Sequence, residues 1–215
     1  MTRYFAFSDA CFKWTELNRG QGDSPWFLFH GMGESSEDWV RTNPPFDPLH
    51  LIDFPGHGDS WTAGGRKWTL HEWALLIRAS IRRVDRPLGV LAHGISAVPL
   101  AMALASEPDL GRQVRMVAWI DPVSWFRKPG RLPRAIADSW PGPFETREWF
   151  RGLAHLRVPA LILLTQADPI SKRIAAEFAV PFPRAEVWYK EGAGPQVVFR
   201  RIQAFEAQLK QARAA

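Results

Sequence analysis

Histidine is the residue of this sequence best suited to acid–base chemistry near neutral pH. All six histidines lie within the first 155 of the 215 residues. They are His30, His50, His57, His71, His93 and His155. None is spaced as in an HExxH metal site, and a single cysteine, Cys11, excludes a cysteine cluster. We therefore expect no metal or other cofactor, and any serine nucleophile would need one of these imidazoles as its base.

The elements that would position such residues alternate between short apolar runs and helical patterns. The apolar runs are 26–29, 49–53, 88–92, 114–120, 160–164 and 186–189. Helical spacing of apolar residues marks 69–84, 95–106 and 196–211, and residues 3–17 predict an antiparallel hairpin. This alternation is typical of a mostly parallel sheet with helices on both faces, so we predict an α/β fold.

Composition and charge limit the classes of function. With 46% hydrophobic and 23% charged residues, the chain is expected to form one globular domain over 1–215. No apolar stretch reaches the roughly 18 residues of a membrane span, so no membrane partner is expected. The N-terminus does not resemble a secretory signal, and a single cysteine fits a reducing compartment, so we expect a cytoplasmic location. The net charge of +5 comes from scattered basic residues, which argues against a nucleic-acid partner.

Three segments of the sequence together resemble the α/β-hydrolase superfamily, in its epoxide hydrolase and esterase branch. Residues 27–33 read FLFHGMG, which is similar to a strand followed by an HGxG oxyanion loop. Residues 52–60 read IDFPGHGDS, similar to the DxPGHGxS turn, and residues 91–97 read LAHGISA where the nucleophile elbow belongs. The resemblance implies the α/β-hydrolase fold over nearly the whole chain.

Residues 123–158 interrupt the alternating pattern. Proline, glycine and aromatic residues recur there without a clear period. A long irregular segment inside a compact domain is usually functional or mobile. It would lie over the carboxyl ends of the strands, where open α/β sheets bind ligands. We predict that this segment forms a short irregular lid.

The resemblance implies that the nucleophile position is vacant. In the family, the residue after the histidine of the elbow is normally serine, and here it is Gly94. The pair Pro108-Asp109 stands at the typical family distance from Gly94, which supports this register. Ser96 is the alternative nucleophile, but it would place bulky Val98 where the elbow needs a small residue. We expect Ser96 to start a helix and to hydrogen-bond the backbone.

The general base of the family is also missing. The family histidine typically follows a Gly-Ala-Gly stretch after the last strand, and here Pro195 takes its place. Proline has no side-chain nitrogen that could remove a proton from serine. Asp168 occupies the position that the resemblance gives to the acid. Without a histidine to orient, its role is undefined, and a turn residue is the alternative interpretation.

The resemblance still implies a ligand site built from backbone donors. The N–H groups of Ile95 and Met32 would form an oxyanion hole, beside Gly31 and the open position at Gly94. We predict that this site binds a small carbonyl or carboxylate ligand with an apolar tail. Aromatic residues of 123–158 would cover that tail, or would serve only as lid packing. These residues are Trp125, Phe126, Trp140, Phe144 and Trp149.

Three functions remain open at this point. The first is a non-hydrolytic binder of a small ligand, or an accessory protein that contacts a protein partner or a second copy of itself. The second is an active serine esterase or thioesterase that uses Ser96. The third is a lyase or cyclase that uses only the oxyanion hole and the shape of the pocket. A shared fold does not decide among them.

Overall fold

A single sheet organises the part of the chain that the computed structural model describes, namely residues 1–20, 22, 24–123, 134–140, 143–166 and 168–214. Its strands are β1 (Thr2–Phe7), β2 (Ala10–Leu17), β3 (Trp26–Phe29), β4 (Leu49–Ile52), β5 (Trp61–Thr62), β6 (Leu88–His93), β7 (Val114–Ile120), β8 (Ala160–Leu164) and β9 (Ala185–Tyr189). Their order is β1-β2-β4-β3-β6-β7-β8-β9, and β5 pairs with β2. All neighbours from β4 to β9 are parallel, whereas β2 is antiparallel to β1, β4 and β5. The predicted mostly parallel α/β sheet is confirmed.

Helices connect most of the parallel strands. They are α1 (Ser36–Arg41), α2 (Leu70–Arg82), α3 (Ala97–Ser106), α4 (Leu110–Gln113), α5 (Arg134–Asp138), α6 (Pro143–Leu156), α7 (Pro169–Ala179) and α8 (Pro195–Ala214). Two short 3₁₀ turns cover Ala63–Gly65 and Gly94–Ser96. Among the described helices, none has both the length and the apolar character needed to cross a bilayer.

The helices pack on both faces of the sheet because side chains alternate along each strand. On β3, Phe27 and Phe29 belong to the core cluster that includes α2, α3 and α7. Trp26 and Leu28 belong to the second cluster, with α1 and α8. Because helices cover both faces of the sheet, the accessible loops are those at the carboxyl ends of β3, β6, β7 and β8. These loops carry the candidate site.

Helix α2 shows how the sequence sets these boundaries. The hydroxyl of Thr69 accepts a hydrogen bond from the N–H of Glu72 at 3.3 Å, and the Glu72 carboxylate accepts one from the N–H of Thr69 at 2.8 Å. These reciprocal bonds form a capping box that begins the helix. Trp73, Ile77 and Ile81 follow at helical spacing and are buried. The helix therefore begins where its residue pattern predicts, and its apolar face packs against the core.

The described residues of 123–158 form two helices, α5 and α6, where the sequence predicts an irregular backbone, and the role of this segment as a lid stays a prediction. Helix α6 spans 14 residues and packs closely on α3, where a Cβ added to Gly152 would lie 2.6 Å from the carbonyl oxygen of Ala105. Pro143 is the first residue of α6, a position where proline is well tolerated because its missing N–H would be unpaired anyway. Proline here begins a helix rather than preventing one.

Of the five aromatic residues predicted to cover the ligand, the structure describes the side chains of Trp140 and Trp149. Trp149 lines a surface depression with residues of α2 and α3, such as His71 and Met102, and does not cover the strand ends. Trp140 packs against the larger core cluster. Trp125, Phe126 and the side chain of Phe144 lie outside the described residues.

Candidate functional site

The loop after β3 is anchored by a buried neutral histidine. His30 is 1% exposed, and its Nδ1 donates to the carbonyl oxygen of Gly31 at 2.7 Å. Its Nε2 accepts a hydrogen bond from the N–H of Phe54 at 3.0 Å, which fixes the tautomer. Burial is the largest influence on this ring and lowers the pKa of His30 to about 4. His30 therefore ties two loops together and is not a free base.

The turn after β4 is built around the carboxylate of Asp53, which is completely buried. This carboxylate accepts hydrogen bonds from the N–H of Ser36, at the start of α1, and from the N–H of Asp59 at 3.3 Å. Gly58 passes so close that a Cβ there would lie 2.6 Å from Asp53 Cγ, and its φ is +51°. The turn thus fixes the position of α1 and of the loop that precedes it.

Gly94 lies at the sharp turn between β6 and α3. Its φ is +57°, in the left-handed region that side chains disfavour. A Cβ at this position would have the Cα of Gly31 as its nearest non-neighbouring atom, at 4.0 Å. The turn therefore has the strained backbone of a nucleophile elbow and the room for a side chain, but the residue present carries no nucleophile.

Ser96 is fully buried, and its hydroxyl is used by the backbone around it. The Oγ lies 2.9 Å from the carbonyl oxygens of Phe29 and His93. It also accepts a hydrogen bond from the backbone N–H of His93 at 3.1 Å. Ser96 therefore hydrogen-bonds the backbone, as the sequence predicts, and its partners lie at the ends of β3 and β6.

Pro195 and Asp168, which the resemblance places at the positions of the general base and the acid, both lie at the start of a helix. Pro195 is exposed and is the first residue of α8, so the helix begins where the resemblance places the general base. The Asp168 carboxylate is exposed and caps α7, accepting hydrogen bonds from the N–H groups of Ile170 at 2.8 Å and Ser171 at 3.0 Å. The hydroxyl of Ser171 is the largest of the influences that lower the pKa of Asp168.

The structure reveals a carboxylate–imidazole pair that the sequence analysis missed. Glu34 Oε2 lies 2.9 Å from His93 Nδ1, and it also accepts hydrogen bonds from the N–H of Gly31 at 2.7 Å and the indole N–H of Trp39 at 3.0 Å. Burial acts to raise the pKa of Glu34, but the bonds and charge of its partners, His93 first, outweigh it and lower the pKa to about 2. The only local signal for Glu34 was its position directly after the HG loop.

This pair opens onto a cavity of about 230 Å³ at the carboxyl ends of the central strands. His93, Asp121 and Thr165 stand at the ends of β6, β7 and β8, and the Asp121 carboxylate accepts a hydrogen bond from the N–H of Thr165 at 2.8 Å. We call this the strand-end cavity. Its lining residues are Glu34, Asp38, Trp39, Thr42, His93, Ile120, Asp121, Thr165, Ala193, Pro195 and Val198.

The predicted ligand-binding residues that the structure describes lie on the loops after β3 and β6, and their role in binding stays a prediction. Met32 is 37% exposed and lines a second cavity of about 260 Å³, with residues such as His57 and Trp73. Ile95 is 4% exposed, and the N–H of Gly31 is already bonded to Glu34. Gly94 is partly exposed between these loops, and Trp125 lies outside the described residues.

Comparisons with known proteins bear on this arrangement. No known protein-family model and no curated protein sequence matches the chain. Among solved structures, the chain is similar to a haloalkane dehalogenase loop variant from Bradyrhizobium elkanii, with 17% identity and a TM-score of 0.71 over 100% of this chain and 98% of that chain. It is also similar to a thioesterase domain from the curacin biosynthetic pathway, with 11% identity and a TM-score of 0.70 over 97% and 98% of the two chains. An esterase from Rhodococcus sp. ECU1013 has 16% identity and a TM-score of 0.68 over 95% and 98%.

These similarities, together with the sheet order, establish the fold of the chain. The chain has the α/β-hydrolase fold, as its three motifs predict. At identities this low, the likeness concerns the fold, and the activities of these enzymes are not carried over to this chain.

Proposed function

We propose that this protein is a non-hydrolytic member of the α/β-hydrolase superfamily that binds a small, neutral carbonyl compound. The observation that carries the proposal is the elbow itself, where Gly94 occupies the left-handed turn and the nearby hydroxyl, that of Ser96, is buried and bonded to backbone. A serine esterase or thioesterase acting through Ser96 would need to break these bonds and expose the hydroxyl. That alternative is therefore disfavoured.

The lack of an imidazole at position 195 supports the same proposal. Pro195 provides no proton acceptor, and Asp168 is committed to capping α7. The imidazole of His93 is turned toward Glu34, with its Nδ1 2.9 Å from the carboxylate. A residual rate from binding and backbone donors alone would still be far below that of a complete triad.

The charge of the strand-end cavity indicates whether its ligand is neutral or anionic. Glu34, Asp38 and Asp121 line it, and among its described lining residues His93 is the one basic group. Asp38 has a partial counter-charge from Arg41, whose guanidinium lies 3.6 Å away. A carboxylate ligand would meet like charges in a partly closed space, where such repulsion is weakly screened. Of the two ligand classes that the sequence predicts, a carbonyl or a carboxylate compound, we therefore favour the neutral carbonyl.

Binding of two matched probes tests this proposal. At pH 8, we expect acetophenone to bind with a Kd of the order of 1 mM. Benzoate has the same ring and nearly the same size, and like-charge repulsion should make its Kd at least about tenfold larger. Ala193→Phe, which places a ring in the cavity, should weaken acetophenone binding, whereas Ala207→Phe on the exposed side of α8 should not. Titrations followed by ligand-observed NMR measure all of these constants.

Two outcomes would contradict the proposal. If benzoate binds as tightly as acetophenone, the acidic lining of the cavity does not exclude an anionic ligand. Acetophenone binding that Ala193→Phe leaves unchanged would place the ligand elsewhere. An accessory role with a protein partner or a homodimer, and a cytoplasmic location, stay predictions.

A further inference from the structure

We propose that His93, held by Glu34, is a general base that takes a proton from the carbon beside the carbonyl group of the bound ligand. This inference rests on the proposed function, because it requires a neutral carbonyl compound in the strand-end cavity. It adds a catalytic activity, proton transfer, that needs neither a serine nucleophile nor a covalent intermediate. The substrate class is that of small ketones with at least one acidic C–H.

The pairing with Glu34 decides which ring nitrogen of His93 can act. An ionised carboxylate only accepts hydrogen bonds, so the 2.9 Å contact with Glu34 Oε2 requires a hydrogen on His93 Nδ1. In the neutral ring, Nε2 then carries the lone pair. The side chain of His93 keeps 27% of its surface exposed and lines the cavity. The tautomer present is therefore the one that offers a proton acceptor to a ligand.

Neighbouring groups hold the pair in place. Glu34 Oε2 receives hydrogen bonds from Gly31 and Trp39 as well as from His93. The indole of Trp39 also packs edge-on against the imidazole, with ring centroids 5.3 Å apart. Gly31 leaves the space that the pair needs, since a Cβ there would lie 2.9 Å from His93 Nδ1. A general base fixed in this way loses little entropy on reaction.

The step balances without any further reactant. His93 Nε2 forms a bond to the proton, the electron pair of the C–H bond becomes the C=C bond of an enolate, and the carbonyl π pair moves to oxygen. Return of a proton from Nε2 to the same carbon regenerates the ketone and the neutral ring. In D2O, the hydrogen on Nε2 can exchange with the solvent before it returns, and each cycle in which it does so replaces one α-hydrogen of the ligand by deuterium.

Exchange into acetophenone tests the proposal. With the unmodified protein in D2O, we expect the methyl signal in proton NMR to decay at least about tenfold faster than in buffer alone. His93→Gln retains a polar side chain that can contact Glu34 but cannot take a proton, so the protein-catalysed rate should fall by about 10²-fold or more. His71→Gln, on the exposed surface of α2, is the matched control and should leave the rate unchanged.

Glu34 is a positioning residue in this account, and Glu34→Gln separates its charge from its geometry. The amide oxygen can accept the same three hydrogen bonds, so the Kd for acetophenone should stay within about twofold while the exchange rate falls about tenfold. A purely structural role would change binding and rate together. Ala193→Phe fills the cavity without changing Glu34 or His93, and it should also abolish exchange. It therefore tests the site independently if the His93 variant fails to fold.

The outcomes distinguish this inference from the function on which it rests. Acetophenone that binds but exchanges no faster than in buffer would overturn the proton-transfer proposal and leave the binding proposal standing. Exchange that survives His93→Gln would assign the base to another residue and would also overturn it. No binding of acetophenone at all would overturn both.

Discussion

Replacing Gly58 by alanine is expected to lower the free energy of unfolding by about 3 kcal/mol or more. Its Cβ would lie 2.6 Å from the Cγ of Asp53, a carboxylate with no exposed surface. Displacing that carboxylate would separate it from the N–H groups of Ser36 and Asp59 and leave a buried charge less well paired. Urea unfolding followed by circular dichroism measures the loss.

Gly56→Ala provides the matched control for this prediction. Gly56 lies in the same turn and also has a positive φ, +85°, but the nearest atom to its Cβ would be Lys67 Nζ at 3.9 Å. The variant therefore shares the backbone penalty of about 1 kcal/mol without the collision. If both variants lower the free energy of unfolding equally, a collision with Asp53 is not what disfavours a side chain at position 58.

Adding both missing side chains, Gly94→Ser and Pro195→His, is expected to give labelling by a fluorophosphonate at least about 10²-fold faster than Gly94→Ser alone. The backbone at position 94 already has the φ of an elbow, and a Cβ there meets nothing closer than 4.0 Å. Position 195 lines the cavity that also contains Asp121, so a histidine there would have both an open space and a carboxylate within the same cavity. Mass spectrometry of the intact protein follows the adduct with time.

The single variants define what this experiment shows. Gly94→Ser supplies a hydroxyl at the turn but leaves position 195 without an imidazole, and it should stay unlabelled. Pro195→His supplies a base with no hydroxyl at the turn and should stay unlabelled as well. Rapid labelling of Gly94→Ser would reveal a base that this account omits. A folded double variant without label would show that more than two side chains are missing.

The sequence predicts the sheet and its helices well because those signals are local. Apolar runs such as 114–120 and the helical spacing within 69–84 depend on burial of neighbouring residues, and both match the structure. The turn at Gly94 was also predictable, since a strand, a glycine and a helix follow one another in a short motif. The strand Trp61–Thr62 and helix α7 were not predicted, the first because two residues carry no period.

The candidate site was less predictable because its contacts join distant parts of the chain. Glu34 and His93 are 59 positions apart, and only the parallel pairing of β3 with β6 brings their loops together. The composition of 123–158 suggested an irregular lid, whereas α6 packs on α3 through a close approach at Gly152 that no local pattern shows. Met32 and His93 line different cavities. The conformations of the loops decide this, and the order of the motifs in the sequence does not reveal it.

The central claim is that this α/β-hydrolase-fold protein has no activated serine. Incubating the unmodified chain with a fluorophosphonate and recording the mass of the intact protein tests it most directly, since only an activated hydroxyl reacts rapidly. We predict no increase in mass after incubation times that fully modify a serine esterase run in parallel. A stoichiometric adduct that peptide mapping assigns to Ser96 would contradict the account.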